Sequence, residues 1–165
     1  MRNKILSIKQ AIKVSKELKN QNKIIVLAGG IFDILHPGHI KFLENAKREG
    51  DYLFVLLEDD NRARVKGPKR PINTQKNRAI ILSAIRSVDY IVLLKNMTNN
   101  YQYDRIVLQL APNILATTNP DPYIDHKKRQ AKLIKGKVVS VISRIGNYST
   151  TQLIKSQDKL TKSSV

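Results

Sequence analysis

Five short apolar runs, KIIVLA (23–28), DYLFVLLE (51–58), VDYIVLL (88–94), NILAT (113–117) and KVVSVI (137–142), recur along the chain with room for about one helix between each pair. Their apolar residues are consecutive rather than alternating, the pattern of strands buried on both faces of a parallel sheet. Helical spacing fills the intervals. Ile5, Ile8, Ala11, Ile12 and Leu18 mark an opening helix over 5–20, and Ile40, Leu43 and Ala46 mark a second from Gly38 to Arg48. Thr74 caps a third that runs to about Ser87, with Ile80, Ile81, Ala84 and Ile85 on its buried side, and a fourth spans Tyr101 to Leu110. Strand and helix in alternation, joined by short right-handed crossovers, predict an α/β fold: a single Rossmann-like, doubly wound, parallel five-stranded sheet.

At 165 residues and 41% hydrophobic content the chain supports one core. The domain is read as 1–156, with its core over 23–156, and 157–165 as a polar tail that frays. Residues 59–73, with Gly67, Pro68 and Pro71, read as a loop, and 118–130 as an irregular loop passing into a basic helical turn. STTQLIKS then starts a last helix.

Cysteine is absent, which excludes disulfides and thiolate metal sites and suits a reducing compartment. The first twenty residues carry charges throughout and do not read as a signal peptide, and no stretch has the roughly 20 apolar residues of a membrane span. A cytoplasmic protein is expected. The net charge of +17, from 30 Lys and Arg against 13 Asp and Glu, suits a polyanionic partner, although a solvated lysine-rich surface explains it about equally well. With 5% aromatic residues and no stacking run, nucleic acid is the less favoured polyanion.

In a doubly wound sheet, ligands bind beyond the carboxyl ends of the strands, where strand order reverses. GGIFDILHPGH (29–39) lies at such an end. Pro37 suits the first position of a helix, Gly38 lets an anion come close, and His36 and His39 then share one side of the helix start. Two imidazoles at a helix N-terminus form a phosphate clamp suited to charge developing on a phosphoryl group. A zinc pair is the weaker reading, since the chain has only one other histidine, His126.

A second anion site is expected at RIGNYSTT (144–151), where Ser149, Thr150 and Thr151 open a helix after a strand and Arg144 lies just upstream. Alone, Ser149 would be an ordinary helix cap. Lys66, Lys69 and Arg70 in VKGPKRPIN, followed by Arg78 on the next helix, form a third basic element able to close over a polyphosphate.

Together, G-x-F-D-x-x-H-x-G-H after a first strand, K-G-x-x-R-P in a loop, V-D-Y-I-V, and a late Y-S-T-T-x-x-I resemble the cytidylyltransferase-like nucleotidyltransferases, from about Lys23 to Ile154. The opening segment SIKQAIKVSKELKNQNKIIVL, with KGPKRPIN and NYSTTQLI, is most similar to the adenylyltransferase module of ADP-heptose synthesis; glycerol-3-phosphate cytidylyltransferase is the next relative, through Arg144 and the serine–threonine run. Three stretches depart from the heptose-type pattern. Ala28-Gly29-Gly30 replaces Thr-Asn-Gly, Glu58-Asp59-Asp60 replaces Asn-Ser-Asp, and TTNPDPY (117–123) replaces K-G-G-D-Y.

The resemblance implies attack of a sugar or polyol phosphate on the α-phosphate of a nucleoside triphosphate, with Mg²⁺ as cofactor and pyrophosphate as leaving group. ATP with a heptose-1-phosphate-like sugar is the leading pair, CTP with glycerol 3-phosphate the alternative, and a non-catalytic basic nucleotide- or nucleic-acid-binding protein the reading from another class. The resemblance assigns His36, His39 and Lys66 to catalysis, and Gly30, Ile31, Phe32, Arg144, Ser149, Thr150 and Thr151 to the nucleotide. It makes Asp33 and Arg78 candidates for substrate, Asp33 also for the metal, and it implies a homodimer.

Overall fold

A computed structural model describes residues 3–67 and 69–143. Its elements run β1 (Ile5–Leu6), α1 (Ile8–Asn20), β2 (Ile25–Gly30), α2 (Pro37–Arg48), β3 (Tyr52–Leu57), α3 (Asp60–Arg64), α4 (Gln75–Ser83), β4 (Tyr90–Leu93), α5 (Asn100–Leu110), β5 (Ile114–Asn119), α6 (Ile124–Leu133) and β6 (Lys137–Ser143). The strands form one sheet in the order β1-β4-β3-β2-β5-β6, and every pairing is parallel.

The fold class is the expected one, with six strands among the described residues instead of five. The added strand is β1: Ile5 and Leu6 pair with Ile91 and Val92 and so leave the opening helix. Ser7 ends that strand by capping α1 in a reciprocal box with Gln10, which fixes the helix start at Ile8.

The consecutive apolar runs are buried on both faces, as predicted. Ile25, Leu27, Phe54, Leu56, Tyr90 and Val92 point into one cluster, which α1, α5 and α6 cover. Val26, Ala28, Leu53, Val55, Leu57 and Ile91 point into the other, under α2 and α4. Each such side chain contributes about 1.5–3 kcal/mol by leaving water.

Three local expectations are corrected. The segment 59–73 is not all loop, because Asp59 caps the short helix α3 by accepting from the Arg62 N–H at 2.9 Å. Helix α4 ends at Ser83 and turns Ala79 and Leu82 inward, leaving Ile80 and Ile81 at the surface; Ala84 is exposed and Ile85 packs at the core's edge. The basic turn after β5 is a ten-residue helix, α6. Asp104 of α5 holds that helix, accepting from Arg129 at 2.7 Å and Gln130 at 2.9 Å. Among the described residues no helix is long and apolar enough to cross a membrane.

Candidate functional site

Strand order reverses between β2, whose next strand lies on one side, and β5, which lies on the other. These two strands pair only at Val26–Ile114 and Leu27–Leu115, whereas β2 pairs with β3 as far as Gly30–Leu57. The carboxyl ends of β2 and β5 are therefore not laddered together. A cavity of about 640 Å³ opens there, lined by both strand ends, the start of α2 and side chains of α3, α5 and α6. This is the position a doubly wound sheet gives its ligands.

The turn between β2 and α2 is built from rings and glycines. Phe32 has φ 49°, the left-handed region that costs a bulky residue free energy. Its ring folds back over Gly30, where an added Cβ would come within 2.9 Å of it. The Phe32 ring meets that of His39 at 5.2 Å between centroids, tilted by 58°. His39 in turn stacks on His36 at 3.7 Å and 24°. The far side of His36 lies against Gly38, where a Cβ would stand 3.1 Å from Cε1 and Nδ1. Two glycines thus bracket a row of three rings, of which the two imidazoles are stacked. That is a physical reason for the spacing of GGIFDILHPGH.

Nδ1 of both imidazoles is buried and makes no hydrogen bond of good geometry, which leaves Nε2 as the nitrogen of each ring able to meet a ligand. Burial pushes the His36 pKa down. It pushes His39 further, to about 4, with help from the neighbouring His36 and Arg70 and against the opposing pull of a backbone hydrogen bond to Ile34. Both shifts favour the neutral ring.

Asp33 anchors the turn. Its carboxylate accepts from the N–H of Asn73 at 2.8 Å, from the N–H of Ile72 at 3.0 Å and from Arg70 at 3.0 Å. Burial alone would raise its pKa, but these donors and the Arg70 charge together hold it below the ordinary value. With both oxygens occupied, Asp33 fits the role of orienting the basic loop better than that of a metal ligand.

Gly30, Ile31, Phe32, Asp33, His36, His39 and Lys66 all line the one cavity. Arg78 does not, and its assignment to substrate is corrected: it is wholly buried, donating to the Asn73 carbonyl at 3.0 Å, to Asp60 at 2.8 Å and to the Ile31 carbonyl. It supports the turn from behind. Arg144, Ser149, Thr150 and Thr151 lie outside the described residues.

The cavity also holds groups that the motifs did not single out. Glu58, one residue past β3, accepts from the Tyr103 hydroxyl of α5 at 3.0 and 2.9 Å, with Arg62 also on the wall. Across the cavity, Asp121 accepts from Lys127 at 2.6 Å, from the Tyr123 N–H at 2.8 Å and from the Thr117 hydroxyl. Glu58 and Thr117 stand at carboxyl ends of strands, a signal present in the sequence, whereas nothing there marked Tyr103.

The model of the cytidylyltransferase-like family matches residues 27–158. The chain belongs to this family of nucleotidyltransferases. It is 33% identical over 153 residues to the bifunctional protein HldE of Pseudomonas entomophila, covering 91% of this chain and 31% of that protein. With the bifunctional protein HldE of Blochmanniella pennsylvanica it is 36% identical over 149 residues, covering 90% of this chain and 30% of that protein. The chain therefore spans about a third of the length of these curated relatives. Among solved structures it resembles the lipopolysaccharide core biosynthesis protein of Thermoplasma volcanium, with TM-score 0.58 and 34% identity over 77% of this chain and 99% of that one. Pantothenate synthetase of Thermus thermophilus, at TM-score 0.63 and 12% identity over 95% of this chain and 70% of that one, shares the fold alone.

Proposed function

We propose that this chain transfers a nucleotidyl group from a nucleoside triphosphate, ATP in the first instance, to the phosphate of a heptose-1-phosphate-like sugar. The observation that carries the reading is the stacked His36–His39 pair at the mouth of α2, inside the switch-point cavity. An acceptor phosphate oxygen attacks the α-phosphorus, the bond from that phosphorus to the α,β-bridging oxygen breaks, and pyrophosphate departs. Nε2 of His36 and His39 donates to the oxygens on which charge accumulates, and Lys66 adds a positive charge from the cavity wall. The Gly30–Phe32 turn, fixed from behind by Arg78, brings backbone against the phosphates.

Mg²⁺ suits this site as an ion carried by the triphosphate, where it would neutralise phosphate charge. Among the described residues no group of three or more His, Cys, Asp or Glu side chains could hold a metal, and Asp33 is already engaged. The likeness to the lipopolysaccharide core biosynthesis protein supports a sugar acceptor, the motif resemblance to the adenylyltransferase module of ADP-heptose synthesis supports ATP, and the family description keeps CTP as the second choice.

Calorimetric titration with ATP and CTP, each with Mg²⁺, tests the reading alongside His39→Ala, followed by pyrophosphate release with sugar and polyol phosphates. Selective binding of one nucleotide that His39→Ala abolishes is expected, and it names the base. Failure of both nucleotides to bind would overturn the reading in favour of a basic binding protein.

A further inference from the structure

Three carboxylates among the described residues line the cavity, and they differ in how far they are already satisfied. Asp33 accepts two backbone N–H groups and the Arg70 guanidinium. Asp121 accepts an ammonium, a hydroxyl and a backbone N–H. Glu58 accepts from one hydroxyl, that of Tyr103, whose single proton is shared between its two oxygens. A carboxylate has about four acceptor sites, so Glu58 is the one with capacity to spare.

Its position fixes what it can meet. The Glu58 N–H donates to the Gly30 carbonyl at 3.1 Å, so Glu58 stands beside the phosphate turn on the β3 side. The opposite, β5–β6 side of the cavity carries Lys127. A carboxylate on the β3 side repels phosphate, so the part of a ligand that meets Glu58 is a neutral one that carries hydroxyl donors.

We propose that Glu58, held in place by Tyr103, is the acceptor-selecting residue of this site: it takes hydrogen bonds from hydroxyl groups of a phosphorylated polyol or sugar and rejects acceptors carrying a carboxylate there. The inference rests on the nucleotidyltransferase reading. An acceptor of this kind has one anionic end and one neutral, hydroxyl-rich end. The anionic end goes to the histidines and Lys66, and the neutral end supplies the donors that Glu58 lacks. A second carboxylate or phosphate at that end would face Glu58 with like charge and no donor. Burial raises the Glu58 pKa, against the pull of the Tyr103 hydroxyl and of Arg62, as expected for a carboxyl short of donors. Tyr103 is a positioning residue, fixed in turn by α5, which Asp104 ties to α6.

The test measures acceptor binding to protein saturated with a non-hydrolysable nucleotide analogue, so it does not depend on turnover. The probes are mannose 1-phosphate, glycerol 3-phosphate, inorganic phosphate and 3-phosphoglycerate, the last carrying a carboxylate. The wild type is expected to bind the hydroxylated phosphates more tightly than inorganic phosphate and to discriminate against 3-phosphoglycerate. Glu58→Gln should weaken the hydroxylated phosphates about tenfold or more and lose the discrimination, while nucleotide affinity stays within about twofold. Tyr103→Phe should weaken the same probes by less and keep the rejection of 3-phosphoglycerate, since the carboxylate remains. Hydroxylated phosphates that bind no better than inorganic phosphate, or a Glu58→Gln effect that falls on the nucleotide, would overturn the inference and leave the nucleotidyltransferase reading standing. A protein that binds no nucleotide at all would instead remove the reading beneath it.

Discussion

Arg70 donates to the carboxylate of Asp33 at 3.0 Å from 37 positions along the chain, and that carboxylate also receives the N–H groups of Ile72 and Asn73. The basic loop after α3 is thereby fastened to the turn that carries the two histidines. Its cations are aimed by a buried anion.

Asp33→Ala should therefore damage both stability and binding. The Asp33 side chain is 0% exposed and that of Arg70 10%, so removal takes one shared buried acceptor from a guanidinium and from two N–H groups, at a cost of about 3–5 kcal/mol. Urea denaturation measures this. The Asp33 pKa is lower folded than unfolded, so its contribution is full above the ordinary value of 3.8 and is lost as pH falls through the folded value. The wild type should lose that increment only in acid below about pH 4, and Asp33→Ala should lack the loss. A variant as stable as wild type at pH 7 would show that the anchor contributes nothing.

Arg78 separates a buttress from a contact. A substrate-binding arginine changed to lysine would keep its charge and raise the acceptor KM at unchanged stability. Here the guanidinium is buried and serves three acceptors in a fixed fork, on Asn73, Asp60 and Ile31. Arg78→Lys should instead lower stability by about 2–4 kcal/mol in urea melts. Acceptor KM in the surviving folded fraction should change by less than about threefold. Unchanged stability with a raised KM would return Arg78 to the substrate.

Strand positions and the placement of HPGH were legible because they rest on local pattern: consecutive apolar residues for buried strands, proline then glycine at a helix start. Arg78 was misread for a physical reason. Charge is visible in a sequence, but whether a charge faces solvent or is enclosed by acceptors from positions 31, 60 and 73 depends on long-range packing. The same holds for Ile80 and Ile81, which match a helical stripe as well as Ala79 and Leu82 do, yet face outward because the sheet lies on the other side. β1 escaped notice because two residues are too few to show a period, and its strand character comes from the β4 edge it joins. Glu58 and Tyr103 illustrate the limit best, since only the fold brings them together across 45 positions.

His39 makes the pH dependence specific. Its pKa falls from 6.5 in the unfolded chain to about 4 in the folded one, so below pH 6.5 the unfolded chain binds a proton that the folded chain refuses. Stability should fall as pH drops from 6.5 to about 4, by roughly 3 kcal/mol in total, with no change from this group above that window. His39→Ala should flatten the slope in urea titrations across it. A bound triphosphate has the reverse effect, favouring the protonated ring, so nucleotide binding near pH 6 should take up protons. Calorimetry in buffers of different ionisation enthalpy measures the uptake, and zero uptake would mean that the phosphates do not reach the histidines.

Gly38 and Gly50 offer a matched pair that divides site geometry from fold. A Cβ at Gly38 would stand 3.1 Å from Cε1 and Nδ1 of His36, so the ring must shift by a few tenths of an ångström and disturb its stack on His39. Nothing else crowds that Cβ, and alanine is the better helix former by about 0.5–1 kcal/mol. Gly38→Ala should therefore melt no lower than wild type while losing nucleotide affinity about tenfold, because a displaced donor stabilises the phosphate less. At Gly50 the added Cβ would meet the Ile24 carbonyl at 2.9 Å and the side chains of Ile24 and Val26 at 2.8 Å, where the backbone of the β2 edge has to yield. Gly50→Ala should lower the melting temperature and leave the affinity of the folded fraction within about twofold of wild type. Measured side by side by thermal melts and nucleotide titration, the two variants should show opposite patterns. Equal loss of affinity in both would mean that the ring stack between Gly30 and Gly38 has no part in holding phosphate.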